Sequence, residues 1–180
     1  MTAAADADAV RPRFSLLPLS AADLPVIVPL NTAAVPHVND LDPAAMQALL
    51  DEAALAVKAV DEAGAMAGFV IVFGPGASYA SENYRWFCAN MDDFLYVDRI
   101  VVDQTRRRSG AARALYEHVF AVAAERGVAR VTCEVNLRPA NPVSVAFHTA
   151  LGFTSVGELE PYGGAKRVTL LARPTDGAGG

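Results

Sequence analysis

A chain of 180 residues that is 53% apolar and 19% charged, with a net charge of -5, is sized for a single domain with a real core. The acidic balance argues against a nucleic-acid partner, which needs a basic face, and no apolar run reaches the length of a membrane span. Two distant cysteines, Cys88 and Cys133, read as free thiols, and an acidic opening without a signal-like apolar stretch predicts a cytoplasmic protein.

Residues 1–12, rich in Ala and Asp, are expected to form a mobile tail, residues 13–173 the domain, and residues 174–180 a second tail. Phe14–Leu19 reads as a first strand. Ser20, with Asp23 three residues on, opens a helix through Leu30 that Pro29 should end or bend. Asp42-Pro43 starts another helix, with Met46, Leu49, Leu50 and Ala53 inward. Leu55–Asp61 and Met66–Phe73 read as strands joined by a turn at Glu62-Ala63-Gly64. After Gly74-Pro75-Gly76 comes a long aromatic segment, Ala77–Asp93, read as an irregular loop or a short inserted helix.

Phe94–Val102 is the next strand. Ala111–Arg126 is amphipathic, with Ala111, Leu115, Val119 and Val122 on one face, and Gly127 closes it. Ala129–Val135 alternates as a strand, and Asn141-Pro142 caps a helix that stops at Gly152. Thr154–Leu159 and Lys166–Ala172 are the last strands, joined through Pro161–Gly164. The order β-α-α-β-β-β-α-β-α-β-β makes a mixed α/β domain.

Chemistry concentrates after the fourth strand, where Val102–Ala112 reads V-D-Q-T-R-R-R-S-G-A-A. The first N–H groups of a helix have no internal partner, and the helix dipole adds positive potential there. Gly110, Ala111 and Ala112 let a diphosphate reach the backbone, and Arg106, Arg107 and Arg108 raise the local potential. A solvated surface pair is the other reading of Arg106 and Arg108. No G-K-[ST] follows and no G-x-G-x-x-G is present, so nucleotide hydrolysis and dinucleotide binding lack support.

The spacing of Arg107, Gly110 and Ala112 resembles the acetyl-CoA signature [QR]-x-x-G-x-[GA] of the GNAT N-acetyltransferase superfamily. A second block, Asn141–Phe153, resembles the family's N-x-x-A-x-x-[FL]-Y-x-x-x-G-F. The blocks stand in the family's order and separation, and the resemblance covers roughly Phe14–Arg173. The second block looks like a branch apart from the antibiotic and histone enzymes, one that carries no substrate assignment. The link Asn136–Asn141 is longer than the family's usual one.

The resemblance implies an α/β (α+β) fold: one GNAT-like domain with a mixed, mostly antiparallel seven-stranded sheet, splayed between strands four and five, and helices on both faces. It implies acetyl-CoA in the splay. The diphosphate would sit on Arg107, Arg108, Ser109, Gly110, Ala111 and Ala112, the pantetheine arm along Ile100, Val101 and Val102, with Asn141, Ser144, Phe147 and His148 completing the site. The implied activity is N-acetyl transfer to a primary amine of a small molecule, by direct attack in a ternary complex. The alternative is a non-catalytic acyl-CoA-binding sensor or interaction module. No metal, nucleic acid or membrane partner is expected, and a homodimer is possible.

For the base, the resemblance points to the fourth strand, at Asp98 and Tyr96, which share a face by strand alternation. Asp98 is equally able to pair with Arg99 or Arg130 as structure. Glu134 on the next strand is a weaker candidate, open to a plain solvent-facing reading. For the acid the family commonly has a Tyr; here His148 stands in its place, able to protonate a thiolate, to contact the cofactor or simply to pack.

The acceptor side is implied to lie at Leu30–His37 and Ser78–Phe87. It gives Asn31, Tyr84, Arg85, Trp86 and Phe87 as substrate-binding residues, the aromatics by cation–π contact and Arg85 by gripping a carboxylate. Trp86 and Phe87 could instead fill the core or a dimer contact, and Tyr162 could close the pocket.

Overall fold

Seven strands form one sheet: β1 (Phe14–Pro18), β2 (Leu55–Asp61), β3 (Met66–Phe73), β4 (Leu95–Val102), β5 (Arg130–Arg138), β6 (Thr154–Leu159) and β7 (Arg167–Pro174). Their spatial order is β1-β2-β3-β4-β5-β7-β6. The helices are α1 (Leu24–Ala33), α2 (Pro43–Glu52), α3 (Glu82–Asn90), α4 (Ala111–Glu125) and α5 (Pro142–Ala150). The computed structural model describes residues 13–175, so the expected tail at 1–12 and, of the expected tail at 174–180, residues 176–180 lie outside the described residues.

Alternation along the strands sends side chains to two cores. Phe69, Ile71 and Phe73 of β3 meet Ile27 of α1, Met46 and Leu49 of α2, and Tyr84 and Phe87 of α3. Val70 and Val72 point the other way and join Ala111, Leu115 and Val119 of α4. Helices therefore cover both faces, and the central strands read as nearly unbroken apolar runs because neither face is wet.

All neighbouring strands run antiparallel except β4 and β5, which are parallel. That parallel pair is joined only at Leu95 with Val131 and Tyr96 with Thr132. Beyond Tyr96 the strands diverge. On its other edge β4 stays paired with β3 as far as Val102. Gly68 makes that close pairing possible, because a Cβ there would meet the Val101 carbonyl oxygen at 2.5 Å. β4 also carries a bulge: Ile71 faces Arg99 and Val72 faces Val97, leaving Asp98 as the extra residue.

Several elements differ from expectation or decide between expected forms. The first helix runs through Pro29 to Ala33, after a short 3-10 turn at Ala21–Asp23. Burial of Ile27 and Asn31 holds the turn that Pro29 deprives of one hydrogen bond. The segment Ala77–Asp93 takes the second of its two expected forms, a short inserted helix, α3, capped by Ser81. The last strand includes Pro174, which pairs with Arg130, and the Thr175 amide donates to Ala129 O at 3.0 Å. The domain thus runs two residues past Arg173, because β5 supplies a partner for that backbone.

Candidate active site

The parting of β4 and β5 leaves the β5-facing edge of β4, residues 97–102, without a strand partner, so its N–H and C=O groups are open to a peptide-like ligand. The strand leads to α4 through a short 3-10 turn, Gln104–Arg106. Arg108 and Gly110 both take positive φ, +63° and +93°, curling the backbone ahead of the helix. α2, α3 and α5 have side-chain caps from Asp42, Ser81 and Asn141, whereas Gly110 caps α4 with no side chain and only Ser109 Oγ reaches its first amide, Ala111 N, at 3.4 Å. A Cβ on Gly110 would meet nothing within 4 Å, so the approach to the first amides of α4 is open. These features fit a diphosphate followed by an amide-bearing arm.

A cavity of about 400 Å³ runs from this turn along the splay. Its walls include Ile100, Val101 and Val102 of β4, Arg107 and Ala112 at the turn, and Asn141, Ser144, Phe147 and His148 at α5. The structure thus gathers nine of the expected cofactor residues in one chamber. Ser109 and Gly110 border a neighbouring recess with Arg13 and Arg113, and Ala111 is buried in the core beneath. Arg106 is committed to an ion pair with Asp61.

A second cavity, of about 430 Å³, opens on the α3 side of the sheet. Asp98, Arg99, Glu134 and Asn136 line its floor, with Tyr79, Ser81 and Asn83 on one wall and Tyr162 and Lys166 on another. Between the two chambers lies a small cavity of about 120 Å³. It shares Ile100, Asn141, Ser144 and His148 with the first chamber and Asp98, Arg99, Glu134 and Asn136 with the second. His37 and Val38 line all three. Two chambers therefore meet inside the splay.

Two carboxylates mark the meeting point and differ in surroundings. Asp98 accepts from the Tyr79 hydroxyl at 2.5 Å and from Arg99 Nε at 2.7 Å. Arg99, itself buried, donates onward to Asn31 Oδ1 at 2.8 Å and Asn39 Oδ1 at 3.0 Å. Both Asp98 oxygens are thus engaged. Glu134 accepts from Asn83 Nδ2 at 3.0 Å through Oε1, while Oε2 is buried without a partner. Burial, with the nearby charge of Asp98, pushes the Glu134 carboxyl up to about 8; the Tyr96 hydroxyl, Asn83 and Arg99 pull part of the way back. Tyr96 OH and Asn83 Oδ1 are also buried without partners. An unsatisfied buried polar atom costs about 1–3 kcal/mol, so three in one patch point to a site.

The expected acid is more enclosed. His148 is 4% exposed. Its Nδ1 lies 2.7 Å from the Ser144 carbonyl oxygen and its Nε2 lies 2.7 Å from the Tyr116 hydroxyl. Burial pushes its pKa down, so the ring is held neutral.

The expected acceptor residues part company. α3 turns Asn83, Tyr84 and Phe87 inward. Phe87 is core, and the Tyr84 hydroxyl pins the preceding loop, donating to Gly74 O at 2.6 Å and accepting from Ala77 N at 2.8 Å. Asn31 is fully buried and spent on Arg99 and Asn39 O. Trp86 packs edge-on to Phe87 and over Gly157 of β6, and Arg85 points to solvent. None of these five lines the acceptor-side chamber. Tyr96 is also fully buried and borders none of the three cavities, because the Asp98 bulge breaks the alternation that would have paired the two.

Tyr79, Ser81 and Asn83 of the expected acceptor segment Ser78–Phe87, and His37 of Leu30–His37, do line the chamber, though not as the residues expected to bind; Asn39 and Asn136 are additions from the structure. The available signal was at Glu134, a carboxylate on a strand that both its neighbours and the helices bury.

The sequence profile of the Acetyltransferase (GNAT) family matches residues 29–153. No curated protein matches the chain in sequence. Among solved structures, the ribosomal-protein-S18-alanine N-acetyltransferase of Escherichia coli superposes with a TM-score of 0.71 at 22% identity, over 92% of this chain and 96% of that one. The phosphinothricin acetyltransferase of Sinorhizobium meliloti in complex with acetyl-CoA gives 0.69 at 21% identity, over 91% and 89%. The acetyltransferase yncA of Salmonella typhimurium with its cofactor acetyl-CoA gives 0.68 at 16% identity, over 92% and 95%. The family match, the shared fold and the splay between β4 and β5 lead to one identification: the chain belongs to the GNAT acetyltransferase family and is an acyltransferase that uses acetyl-CoA.

Proposed function

We propose that the protein transfers acetyl from acetyl-CoA to a primary amine of a small molecule, by direct attack with both substrates bound. The observation that carries this reading is the junction: a chamber lined by nine of the expected cofactor residues and a polar chamber meet at the β4–β5 splay, with Glu134 between them. Arg107, the first amides of α4 and the free edge of β4 would hold the diphosphate and pantetheine. Bound acetyl-CoA supplies the acetyl group as a thioester. Glu134 takes the proton that the amine must lose, and a carboxyl poised near pH 8 is matched to that task. Asp98 anchors Arg99 and the wall of the chamber.

A small acceptor is favoured by enclosure. The chamber volume of about 430 Å³ is in the range of small-molecule pockets. Its rim is bridged where Lys166 Nζ donates to Pro36 O at 3.4 Å and where the Tyr162 amide donates to Glu82 Oε2 at 3.0 Å. A location in the cytoplasm accords with two unpaired cysteines, Cys88 and Cys133. No helix among the described residues is long and apolar enough to cross a membrane.

Two measurements test the reading. Acetyl-CoA at 100 times its dissociation constant adds about 2.7 kcal/mol to the folded state, raising Tm by roughly 5–10 °C. Thiol release from acetyl-CoA is then followed with a panel of small primary amines and of peptides with free amino termini. Release with small amines supports the proposal, release with peptides alone moves the acceptor class, and a Tm rise without release on either panel turns the protein into a binding module.

A further inference from the structure

Tyr116 is a fully buried phenol on α4, yet it borders the small cavity where the two chambers meet. Its ring is held among Phe120, Phe147 and Phe153 at centroid distances of 5.7, 6.0 and 5.6 Å. Its hydroxyl lies 2.7 Å from His148 Nε2 and also interacts with the Cys133 thiol. The protons at that contact can be assigned. A backbone carbonyl only accepts, so His148 Nδ1 carries the ring proton and donates it to Ser144 O. The ring is neutral, its Nε2 is bare, and Tyr116 is the donor across the 2.7 Å contact.

We propose that Tyr116 is the group that protonates the departing sulfur, and that His148 is the positioning residue that holds its hydroxyl at the junction. This assignment rests on the acetyl-transfer reading of the site. His148 itself has both ring nitrogens occupied, one by the Ser144 carbonyl and one by Tyr116, so it has no free proton to offer. Tyr116 needs only to rotate its O–H from Nε2 toward the cavity.

The step balances within the chain. As the amine nitrogen forms its bond to the acyl carbon, it gives a proton to the Glu134 carboxylate. As the carbon–sulfur bond breaks, the sulfur keeps the bonding pair and takes the phenolic proton of Tyr116. The Glu134 carboxylic acid then returns a proton to the Tyr116 oxygen across the small cavity both residues line. Enzyme protonation is restored with no proton drawn from solvent.

The ionisable groups that line the small cavity with Tyr116 are His37 from the segment after α1, His148 from α5, Cys133 and Glu134 from β5, and Asp98 and Arg99 from β4. Burial pushes the Cys133 thiol up and keeps it neutral, so it does not compete as a base. Burial likewise raises Tyr116 well above an ordinary phenol, with the neighbouring Cys133 and then the charge of Glu134 adding to it, so it reaches the step protonated.

The test needs no acceptor. Coenzyme A, with its free thiol, is bound to the wild type, to Tyr116→Phe and to His148→Phe, and the thiolate absorbance is followed against pH. A hydrogen bond donated to the thiolate lowers its pKa, so the bound thiol should titrate about one unit lower in the wild type than in Tyr116→Phe, with His148→Phe between them. With an amine accepted by the wild type, Tyr116→Phe should lower kcat by about 10²-fold and leave KM for acetyl-CoA nearly unchanged. If the bound thiol titrates alike in wild type and Tyr116→Phe, or like the free thiol in the wild type itself, Tyr116 does not face the sulfur and the assignment falls while acetyl transfer stands. If coenzyme A does not bind the wild type, the acetyl-transfer reading falls with it.

Discussion

The two chambers are built by different means. The chamber proposed for the cofactor offers mainly backbone: the open edge of β4, the curled turn at Arg108–Gly110 and the start of α4, with side chains of α5 as its far wall. The acceptor side is made of side chains: Asn83 from α3, Asp98 and Arg99 from β4, Glu134 and Asn136 from β5, and Lys166 ahead of β7. Backbone donors carry fixed partial charges and cannot titrate. A side-chain cluster can be tuned, and Glu134 shows it, because the burial that leaves Oε2 without a partner also lifts its proton affinity toward neutral pH. The comparison teaches that binding and chemistry are separable here, and substitutions should separate them.

The largest effect is expected at Glu134. Glu134→Gln should lower kcat by about 10²–10⁴ with acetyl-CoA affinity unchanged, since an amide keeps the shape and cannot accept the proton. In the wild type, kcat/KM should climb with pH until the carboxyl has ionised, near pH 8, and that limb should vanish in the variant. Steady-state profiles across pH 5–10 check both. A parallel loss of cofactor affinity would break the separation.

Gly110→Asp should do the reverse. Asp tolerates a positive φ better than most residues and can cap α4, so the fold should persist. Its carboxylate would fill the open approach and repel a diphosphate, raising the acetyl-CoA dissociation constant at least ~100-fold by calorimetry, about 2.7 kcal/mol.

A third effect concerns stability. The folded-state pKa of Glu134, about 8, lies above its ordinary value of 4.5, so the native state binds this proton more tightly. The contribution is therefore fully present below pH 4.5 and is lost as pH rises through about 8. Glu134→Gln is spared that loss. Its Tm should exceed that of the wild type at pH 9, by a gain on the order of 5 kcal/mol, and the excess should shrink toward zero near pH 4. A constant difference across pH would show that Glu134 is not held in this way.

The smallest effect sharpens the boundary of the acceptor side. Arg85 points away from the chamber, so Arg85→Ala should leave kcat/KM within about twofold and stability within ~0.5 kcal/mol. A large rise in acceptor KM would return Arg85 to the site.

Much of the fold was legible because its signals are local. The alternation of β2 and β3, the amphipathic face of α4 and the caps at Asp42 and Asn141 each depend on residues within a few positions. The aromatic segment misled, because Tyr84 and Phe87 are spaced one turn apart on a helix whose inward face fills the core, a role that aromatic composition does not distinguish from ligand binding.

The sequence by itself determined the turn proposed to hold the cofactor: Arg107, Gly110 and Ala112 set a backbone geometry within one strand-to-helix connection, and such geometry follows from neighbours along the chain. Only the tertiary structure decided the chemistry. Asn83 reaches Glu134 across 51 residues and Arg99 reaches Asn31 across 68, and no local pattern encodes a meeting at that distance. The bulge that singles out Asp98 requires β3 as its ruler. Tyr116 and His148 meet because α4 and α5 pack on the same face of the sheet. Proton affinity depends on what surrounds a group in space, so the roles proposed for Glu134, His148 and Tyr116 rest on packing.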